Sequence, residues 1–193
     1  MPKRAVFIDR DGTLSEEVGY LNHASRFRLL PRSAEAIRLL NEAGVPAVVV
    51  TNQAGVARGY FPEERILEVH ERMKKLLAEG GARLDGVYYC PHHPTAGVPP
   101  YRCDCNCRKP KPGLIEKAVD ELDLQAEGSY MIGDKFSDVQ LGHLMKCSGI
   151  LVKTGYGLGE WEYNRQDFDF EPEYVAEDLL DAVQWLLQDM KAD

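Results

Sequence analysis

An apolar run that ends abruptly in two aspartates constrains the fold of this chain more than any other feature. Residues 5–8 read Ala-Val-Phe-Ile, and Asp9-Arg10-Asp11-Gly12-Thr13 follows directly. A short apolar run that stops at a turn signal predicts a buried strand. The two carboxylates would then lie at the carboxyl edge of a sheet, where open α/β sheets bind ligands. Because neighbouring carboxylates repel each other and lose solvation there, the pair predicts a metal cation or a cationic ligand.

The rest of the chain alternates apolar runs with amphipathic stretches. Strands are predicted at 5–8, 45–50, 87–89, 130–132 and 150–152, and helices at 33–43, 62–78, 112–122, 136–145 and 177–190. This alternation is typical of βαβ units, so we predict an α/β fold with a doubly wound, mainly parallel sheet and helices on both faces. The 193 residues fit one domain spanning 1–193, and the motifs leave no room for a large cap domain.

Composition argues against two classes of partner. Twenty-three Lys and Arg against 31 Asp and Glu give a net charge of −8, whereas nucleic-acid binding usually requires a basic face. No apolar run reaches the roughly 18 residues of a membrane span, and the N-terminal residues lack the apolar segment of a signal peptide. We therefore expect a cytoplasmic monomer that acts on a small molecule and binds neither nucleic acid nor a membrane.

Polar motifs follow three further predicted strands. Residues 51–59 follow the second strand, Arg108 and Lys109 end the loop after the third, and residues 133–138 follow the fourth. Because the carboxyl ends of parallel strands meet at one edge of a sheet, we expect all these motifs to share one crevice with the aspartate pair.

The side chains gathered there are suited to phosphoryl transfer. Asp9 can attack phosphorus to form an aspartyl-phosphate, while Asp11 protonates the leaving oxygen and later activates water. Thr51 and Lys109 can neutralise the equatorial oxygens in the transition state, and a hard cation such as Mg²⁺ suits the carboxylates. Arg108 can bind a second phosphate bidentately, so a bisphosphate or a similarly polyanionic small molecule is the favoured substrate.

These motifs resemble those of the haloacid dehalogenase superfamily of phosphatases. They are Asp9-x-Asp11-Gly12-Thr13, Thr51, Lys109 and Gly133-Asp134-(x)₃-Asp138, in this order along most of the chain. The resemblance implies Asp9 as nucleophile and Asp11 as general acid and base. It also implies a Mg²⁺ ion held by Asp9, the main-chain carbonyl of Asp11, and Asp134. For Asp138 two roles are left open, indirect support of the site or an N-cap for the following helix.

A finer set of residues is similar to one family of this superfamily, the heptose-bisphosphate phosphatases, whose nearest relative is the histidinol-phosphate phosphatase domain. The matching segments are 9–13, 19–20, 51–53, 55–59, 88–94, 105–110 and 133–135. The resemblance implies Mg²⁺-dependent hydrolysis of the 7-phosphate of D-glycero-D-manno-heptose 1,7-bisphosphate, giving heptose 1-phosphate for lipopolysaccharide or other surface-glycan synthesis. Hydrolysis of histidinol phosphate and a non-catalytic, zinc-stabilised scaffold are the alternatives. The implied substrate contacts are Asp9, Arg10, Asp11, Glu17, Val18, Gly19, Tyr20, Thr51, Asn52, Gln53, Ala54, Arg108, Lys109 and Lys135.

A cluster of cysteines and histidines precedes Arg108. In a chain without a secretion signal, clustered cysteines favour a metal over disulfide bonds. Three thiolates and one imidazole complete a tetrahedral Zn²⁺ site with no open position, so its role should be structural. The family resemblance selects Cys90, His92, Cys105 and Cys107.

Two further residues of this cluster are possible replacements for the selected ligands. The spacing alone also allows Cys103 in place of a later cysteine and His93 in place of its neighbour. Whichever set binds, we expect the zinc to order the loop of about 90–107. Because Cys107 directly precedes Arg108 and Lys109, ordering the loop should also fix these two cations.

Overall fold

A six-stranded, wholly parallel β-sheet forms the centre of the protein, for which a computed structural model describes residues 2–192. Along the sheet the strands follow the order β3-β2-β1-β4-β5-β6, and every neighbouring pair is parallel. The strands are β1 (Lys3–Ile8), β2 (Ala47–Asn52), β3 (Gly86–Cys90), β4 (Leu124–Gly133), β5 (Ser148–Val152) and β6 (Tyr174–Ala176). This architecture confirms the predicted α/β fold with a doubly wound parallel sheet.

Helices cover both faces of the sheet. They are α1 (Ser33–Glu42), α2 (Glu64–Glu79), α3 (Gly113–Leu122), α4 (Phe136–Leu144), the short α5 (Gly157–Gly159) and α6 (Leu179–Ala192). Side chains alternate along β1, so Val6 and Ile8 pack in one core with α1, α2 and α6, while Ala5 and Phe7 pack in a second core with α3 and α4. Among residues 2–192, no helix is both long and apolar enough to cross a membrane.

The structure differs from the predicted elements mainly at their ends and in the last strand. β2 begins at Ala47 rather than at residue 45, because the amide of Val45 still bonds to the Leu40 carbonyl at the end of α1. β6 was not predicted, since its three residues are too few to show a strand pattern. The segment 153–173, predicted as irregular, contains short helical turns between residues 157 and 167.

The chain reverses its direction of travel across the sheet at β1. This strand pairs with β2 on one side and with β4 on the other, so the loops that leave their carboxyl ends diverge. A crevice opens between such loops and is the usual ligand position in open α/β sheets. Asp9 follows β1 and Asp134 follows β4, so both lie at this crevice.

Candidate active site

A cavity of about 370 Å³ occupies the crevice and collects most of the predicted site residues. Its lining consists of Asp9, Asp11, Glu17, Gly19, Tyr20, Thr51, Asn52, Gln53, Ala54, Gly55, Arg108, Lys109, Lys135, Ser137, Asp138 and Tyr156. Two predicted substrate contacts lie elsewhere: Arg10 is 1% exposed beneath the cavity, and Val18 packs against the main core. The parallel sheet therefore brings together motifs that are more than one hundred residues apart.

Lys109 lies between two carboxylates at the floor of the cavity. Its Nζ is 2.9 Å from Asp9 Oδ1 and 2.8 Å from Asp138 Oδ1, and all three side chains are buried. Burial acts to lower the pKa of Lys109, but the facing carboxylates of Asp138 and Asp9 outweigh it and raise the pKa above its ordinary value. Asp138 is not the N-cap of α4, which begins two residues earlier at Phe136. Its carboxylate instead fixes the Lys109 ammonium group that faces Asp9.

The backbone around Asp9 is equally well fixed. The Asp9 amide donates to the Ile132 carbonyl of β4 at 2.9 Å, and Asp9 Oδ1 accepts from the Arg10 amide at 2.7 Å. Lys109 and Asn52 exchange two hydrogen bonds of 3.0 and 3.1 Å between main chain and side-chain amide. Because β2 carries Asn52 and β4 carries Ile132, both neighbours of β1 hold Asp9 and Lys109 in register.

Three buried carboxylates form a group that fits a divalent cation. Oxygens of Asp9, Asp134 and Asp138 lie within 4.8 Å of one another, so full ionisation would place three negative charges against the single positive charge of Lys109. Asp134 Oδ2 accepts from the Tyr156 amide at 2.9 Å, whereas Oδ1 is buried with no hydrogen-bond partner among the described residues. An orphaned carboxylate oxygen of this kind suits a hard metal ion such as Mg²⁺.

The pKa values of Asp134 and Asp138 show that ionisation of these buried carboxyl groups is unfavourable. Burial, with the charge of Asp9 added, raises the pKa of Asp134 to about 8. Burial raises the pKa of Asp138 to about 6, although Lys109 opposes the change. Carboxyl groups that resist ionisation here would be stabilised as carboxylates by a bound cation.

Two glycines make room for Asp134. A Cβ on Gly12 would lie 2.0 Å from Asp134 Oδ2, and one on Gly155 would lie 2.2 Å from the same atom. Gly12 has φ +84° and Gly155 has φ +57°, which are left-handed conformations that favour glycine. The glycine of the Asp-Gly-Thr motif is therefore required both by its backbone conformation and by the space that Asp134 occupies.

Arg10 and Gln53 hold the Asp11 carboxylate. Arg10 Nε donates to Asp11 Oδ1 at 3.0 Å and Arg10 Nη2 to Asp11 Oδ2 at 2.7 Å, which is a bidentate pair. Gln53 Nε2 adds a bond of 2.8 Å to Asp11 Oδ2 and is 3.0 Å from Thr51 Oγ1. These donors fix the carboxylate that faces the cavity.

Lys135 and Tyr156 form one rim of the cavity. Lys135 Nζ lies 4.5 Å from the centre of the Tyr156 ring, a cation–π contact. Burial would lower the pKa of Lys135, but the carboxylates of Asp134, Asp9 and Glu17 raise it, so the ammonium stays charged. Burial raises the pKa of Glu17 across the cavity. Tyr156 was not predicted; its position in the loop after β5, at the same sheet edge as the other motifs, is the signal that could have identified it.

The predicted zinc ligands converge beside the cavity. Cys90, His92, Cys105 and Cys107 place their ligand atoms within 4.8 Å of one another. The Sγ–Sγ distances are 3.5 Å from Cys90 to Cys105 and 3.3 Å from Cys107 to Cys105, and His92 Nδ1 is 3.4 Å from Cys107 Sγ. A tetrahedron with Zn–S bonds of about 2.3 Å spaces its sulfurs about 3.8 Å apart, so the four atoms fit a zinc ion with a small expansion.

The two alternative ligands lie outside this group. Cys103 is not among the four converging residues. His93 is engaged by other groups: its Nδ1 accepts from the Ala96 amide at 2.9 Å, and its Nε2 is 3.1 Å from Arg58 Nη2. Hydrogen bonding with Cys90 and Cys105 lowers the pKa of the Cys107 thiol to about 5, which favours a thiolate ligand.

Hydrogen bonds to the main-chain carbonyls of two predicted zinc ligands connect the cysteine loop to the cavity. Arg108 Nη1 donates to the His92 carbonyl at 3.2 Å. The Gln53 amide donates to the Cys90 carbonyl at 2.7 Å. Since Arg108 and Gln53 both line the cavity, the conformation of the cysteine loop directly sets the position of two cavity residues.

Comparison with known proteins gives consistent matches over nearly the whole chain. The HAD-hydrolase-like family model matches residues 106–182. The D-glycero-beta-D-manno-heptose-1,7-bisphosphate 7-phosphatase of Pasteurella multocida (strain Pm70) is 43% identical over 180 residues, covering 93% of this chain and 94% of the relative. The D-glycero-D-manno-heptose-1,7-bisphosphate 7-phosphatase of Thermosynechococcus vestitus is 42% identical over 190 residues, covering 96% of each chain.

The fold is also similar to that of a solved structure with a related name. The D,D-heptose 1,7-bisphosphate phosphatase from B. bronchiseptica, complexed with magnesium and phosphate, aligns with a TM-score of 0.84. The two proteins are 30% identical, and the alignment covers 96% of this chain and 99% of the other. The similarity of fold thus extends over nearly the whole chain.

Proposed function

Because the chain belongs to the heptose-1,7-bisphosphate 7-phosphatase family of haloacid dehalogenase-like hydrolases, we propose that it removes the 7-phosphate of D-glycero-D-manno-heptose 1,7-bisphosphate. The chain is a phosphatase. The observation that carries the assignment of its reaction centre is the buried contact of Lys109 with Asp9 and Asp138, next to the orphaned oxygen of Asp134. A cation-binding carboxylate group with a lysine inside it suits the binding of a phosphate dianion.

The first step transfers the phosphoryl group to Asp9. A carboxylate oxygen of Asp9 attacks phosphorus, and the bond between phosphorus and the C7 oxygen breaks. Asp11 gives its proton to that oxygen, so the sugar leaves as a neutral alcohol. Lys109 and the Thr51 hydroxyl neutralise charge on the equatorial oxygens during the transfer.

The second step hydrolyses the aspartyl-phosphate. Asp11, now a carboxylate, takes a proton from a water molecule, whose oxygen attacks phosphorus and releases inorganic phosphate. Asp9 is regenerated as a carboxylate, and Asp11 is again protonated for the next cycle. Arg10 and Gln53, which hold the Asp11 carboxylate, keep it directed at the leaving oxygen and then at water.

Asp9, Asp134 and the main-chain carbonyl of Asp11 would hold Mg²⁺. When bound, the ion supplies positive charge that neutralises the phosphate and the buried carboxylates. Asp138 keeps the Lys109 ammonium beside Asp9.

The far end of the substrate would meet the rim of the cavity. Arg108 binds the second phosphate, because its guanidinium lines the cavity and is directed by the His92 carbonyl. Lys135, Glu17 and Tyr20 also line the cavity and would contact the sugar. In this proposal Arg10 acts indirectly, through its hydrogen bonds to Asp11, and Val18 only packs against the core.

Zinc bound by Cys90, His92, Cys105 and Cys107 would hold the cysteine loop in place. The fit of the four ligand atoms to a tetrahedron supports this role. Thiols that must stay reduced suit the cytoplasm, where we place the protein. We further propose that residues 1–193 form one domain, that the chain acts as a monomer on this small molecule without nucleic acid or a membrane, and that heptose 1-phosphate serves surface-glycan synthesis.

Phosphate release from a panel of substrates tests the proposal. The purified protein with Mg²⁺ is given both anomers of the heptose bisphosphate, histidinol phosphate and heptose 1-phosphate. We expect the highest kcat/KM on one heptose bisphosphate anomer, and a loss of at least about 10³-fold in D9N. A higher kcat/KM on histidinol phosphate would contradict the substrate, full activity of D9N would contradict the mechanism, and an inactive wild type would indicate a scaffold.

A further inference from the structure

His70 is a buried histidine on a helix whose inward face is otherwise apolar. It is 4% exposed in α2, where the other buried side chains are Ile66, Val69, Met73 and Leu77. A buried imidazole needs a hydrogen-bond partner, because leaving its nitrogens unpaired costs about 1–3 kcal/mol. Its partner shows what this histidine does.

That partner is the guanidinium of Arg10. Arg10 Nη1 lies 3.3 Å from His70 Nε2, and Arg10 is itself 1% exposed. A guanidinium only donates, so Nε2 is the acceptor and the ring is neutral. Burial and the charge of Arg10 lower the pKa of His70 to about 3, which keeps the acceptor available at neutral pH.

The same guanidinium holds Asp11. Its Nε and Nη2 donate to the two oxygens of Asp11 at 3.0 and 2.7 Å. The planar group therefore binds Asp11 with one edge and His70 with another. Because a guanidinium is rigid, fixing the edge at His70 also fixes the angle at which it presents its hydrogen bonds to Asp11.

The imidazole is in turn held by residues near the cysteine loop. The Tyr89 ring packs edge-on against His70 with a centroid distance of 5.5 Å. The Tyr89 hydroxyl donates to Glu63 Oε1 at 2.9 Å, and Tyr101 donates to Glu63 Oε2 at 2.7 Å. The position of His70 is thus set by packing and hydrogen bonds on its outer side.

We propose that His70 is a positioning residue for proton transfer, acting through Arg10 on the Asp11 carboxylate. This rests on the proposed function, in which Asp11 exchanges the proton with the C7 oxygen. Without an acceptor at His70, one guanidinium N–H group is unpaired in a site closed to solvent, and Arg10 turns to find another partner. Asp11 turns with it, and a displacement of about 1 Å at a reacting group can cost on the order of 10²-fold in rate.

Three substitutions separate the acceptor from the bulk of the side chain. In H70Q the amide oxygen can take the place of Nε2, in H70N the amide oxygen stops short of Arg10, and H70L fills the space without an acceptor. With heptose bisphosphate we expect H70Q to keep kcat/KM within about threefold of wild type, and H70N and H70L to lose roughly 10- to 100-fold. H143Q, which alters a histidine outside the cavity, is the matched control and should leave the rate unchanged.

The leaving group supplies a readout that a merely structural role would not change. The p-nitrophenolate of p-nitrophenyl phosphate leaves without a proton, whereas a sugar alkoxide requires one. Since kcat/KM reports the transfer to Asp9, H70N and H70L should lose less than about threefold on p-nitrophenyl phosphate. Urea denaturation of each variant identifies any that does not fold. If H70L does not fold, H70N alone tests the loss of the hydrogen-bond acceptor.

The role of His70 would be overturned if H70N and H70L lost equal factors of kcat/KM on both substrates. It would also be overturned if H70Q and H70N lost equal factors on heptose bisphosphate, or if kcat/KM of H70N were unchanged. If the wild type does not hydrolyse p-nitrophenyl phosphate, the comparison of H70Q with H70N on heptose bisphosphate decides alone. Failure of the proposed function is seen in the wild type, which would release no phosphate from heptose bisphosphate. That result overturns both proposals, whereas failure of the His70 proposal is seen only among variants of an active enzyme.

Discussion

Replacing Asp134 by Asn should stabilise the Mg²⁺-free protein near pH 8 while removing its capacity to bind the cation. The carboxyl is fully buried beside Asp9 and Asp138, and burial raises its pKa to about 8. Asn has nearly the same shape, so its amide oxygen can still accept the Tyr156 amide bond and its NH₂ can donate to the remaining carboxylates. The substitution removes a buried negative charge without creating a cavity.

The pH dependence follows from the direction of the pKa shift. Unfolded Asp134 titrates near 3.8, so between about pH 4 and pH 8 the folded state holds a proton that the unfolded state has lost. Stability therefore falls as the pH rises through this window, by at most about 6 kcal/mol for this shift. The titration of Asp134 is coupled to the charges of Asp9, Asp138 and Lys135, so the full shift is not expected. We expect the free energy of unfolding of D134N to exceed that of the wild type by roughly 1–3 kcal/mol at pH 8 and by close to nothing near pH 4.

Urea denaturation at pH 4.5, 6 and 8 measures this difference. The Mg²⁺-free buffer contains no chelator, so any zinc stays bound, and D120N provides the same change of charge at an exposed residue. Adding Mg²⁺ at 100 times its Kd should stabilise the wild type by about 2.7 kcal/mol and leave D134N unchanged. A D134N protein that is no more stable than wild type at pH 8, or whose advantage does not vary with pH, would refute the reasoning.

Three other predictions concern the loops around the cavity. C107S should lower the zinc content, measured by mass spectrometry of the metal, from one per chain to near zero and lower the Tm; an unchanged Tm at zero zinc would contradict the structural role. R108K should raise the KM for heptose bisphosphate about tenfold with a smaller change in kcat, because lysine cannot bind phosphate bidentately; equal kinetics would exclude Arg108 from that contact. G55A should cost about 1–3 kcal/mol in urea denaturation, since its Cβ would lie 2.4 Å from the Phe61 ring; a neutral effect would show that Phe61 moves freely.

The order of motifs predicted much of the site because each motif follows a strand. Strand ends are local features, marked where an apolar run meets Asp9, Thr51 or Asp134. Once the strands are parallel, those ends share one edge of the sheet, and no further information is needed to bring the residues into one crevice. The four predicted zinc ligands were selected by the family resemblance rather than by strand ends, and they converge in the structure.

Other features of the site depend on contacts between distant elements. The contact of Arg10 with His70 spans 60 positions and requires α2 to present that residue towards β1. Lys109 reaches Asp138 only because the loop after β3 folds over the start of α4. No local pattern reports the rotation of a helix about its axis or the path of a loop.

The sequence by itself determined the α/β class, the parallel sheet and the identity of the charged residues at its edge. Hydrophobic periodicity and strand ends depend only on residues that are close together in the sequence. Only the tertiary structure decided how the two aspartates of the opening motif are held: Asp9 faces Lys109, while Asp11 is bound by Arg10 and Gln53. These contacts form only when side chains on different strands and loops are positioned to within a few tenths of an ångström. The packing of the whole sheet sets such distances, since hydrogen bonds and ion pairs weaken steeply with separation.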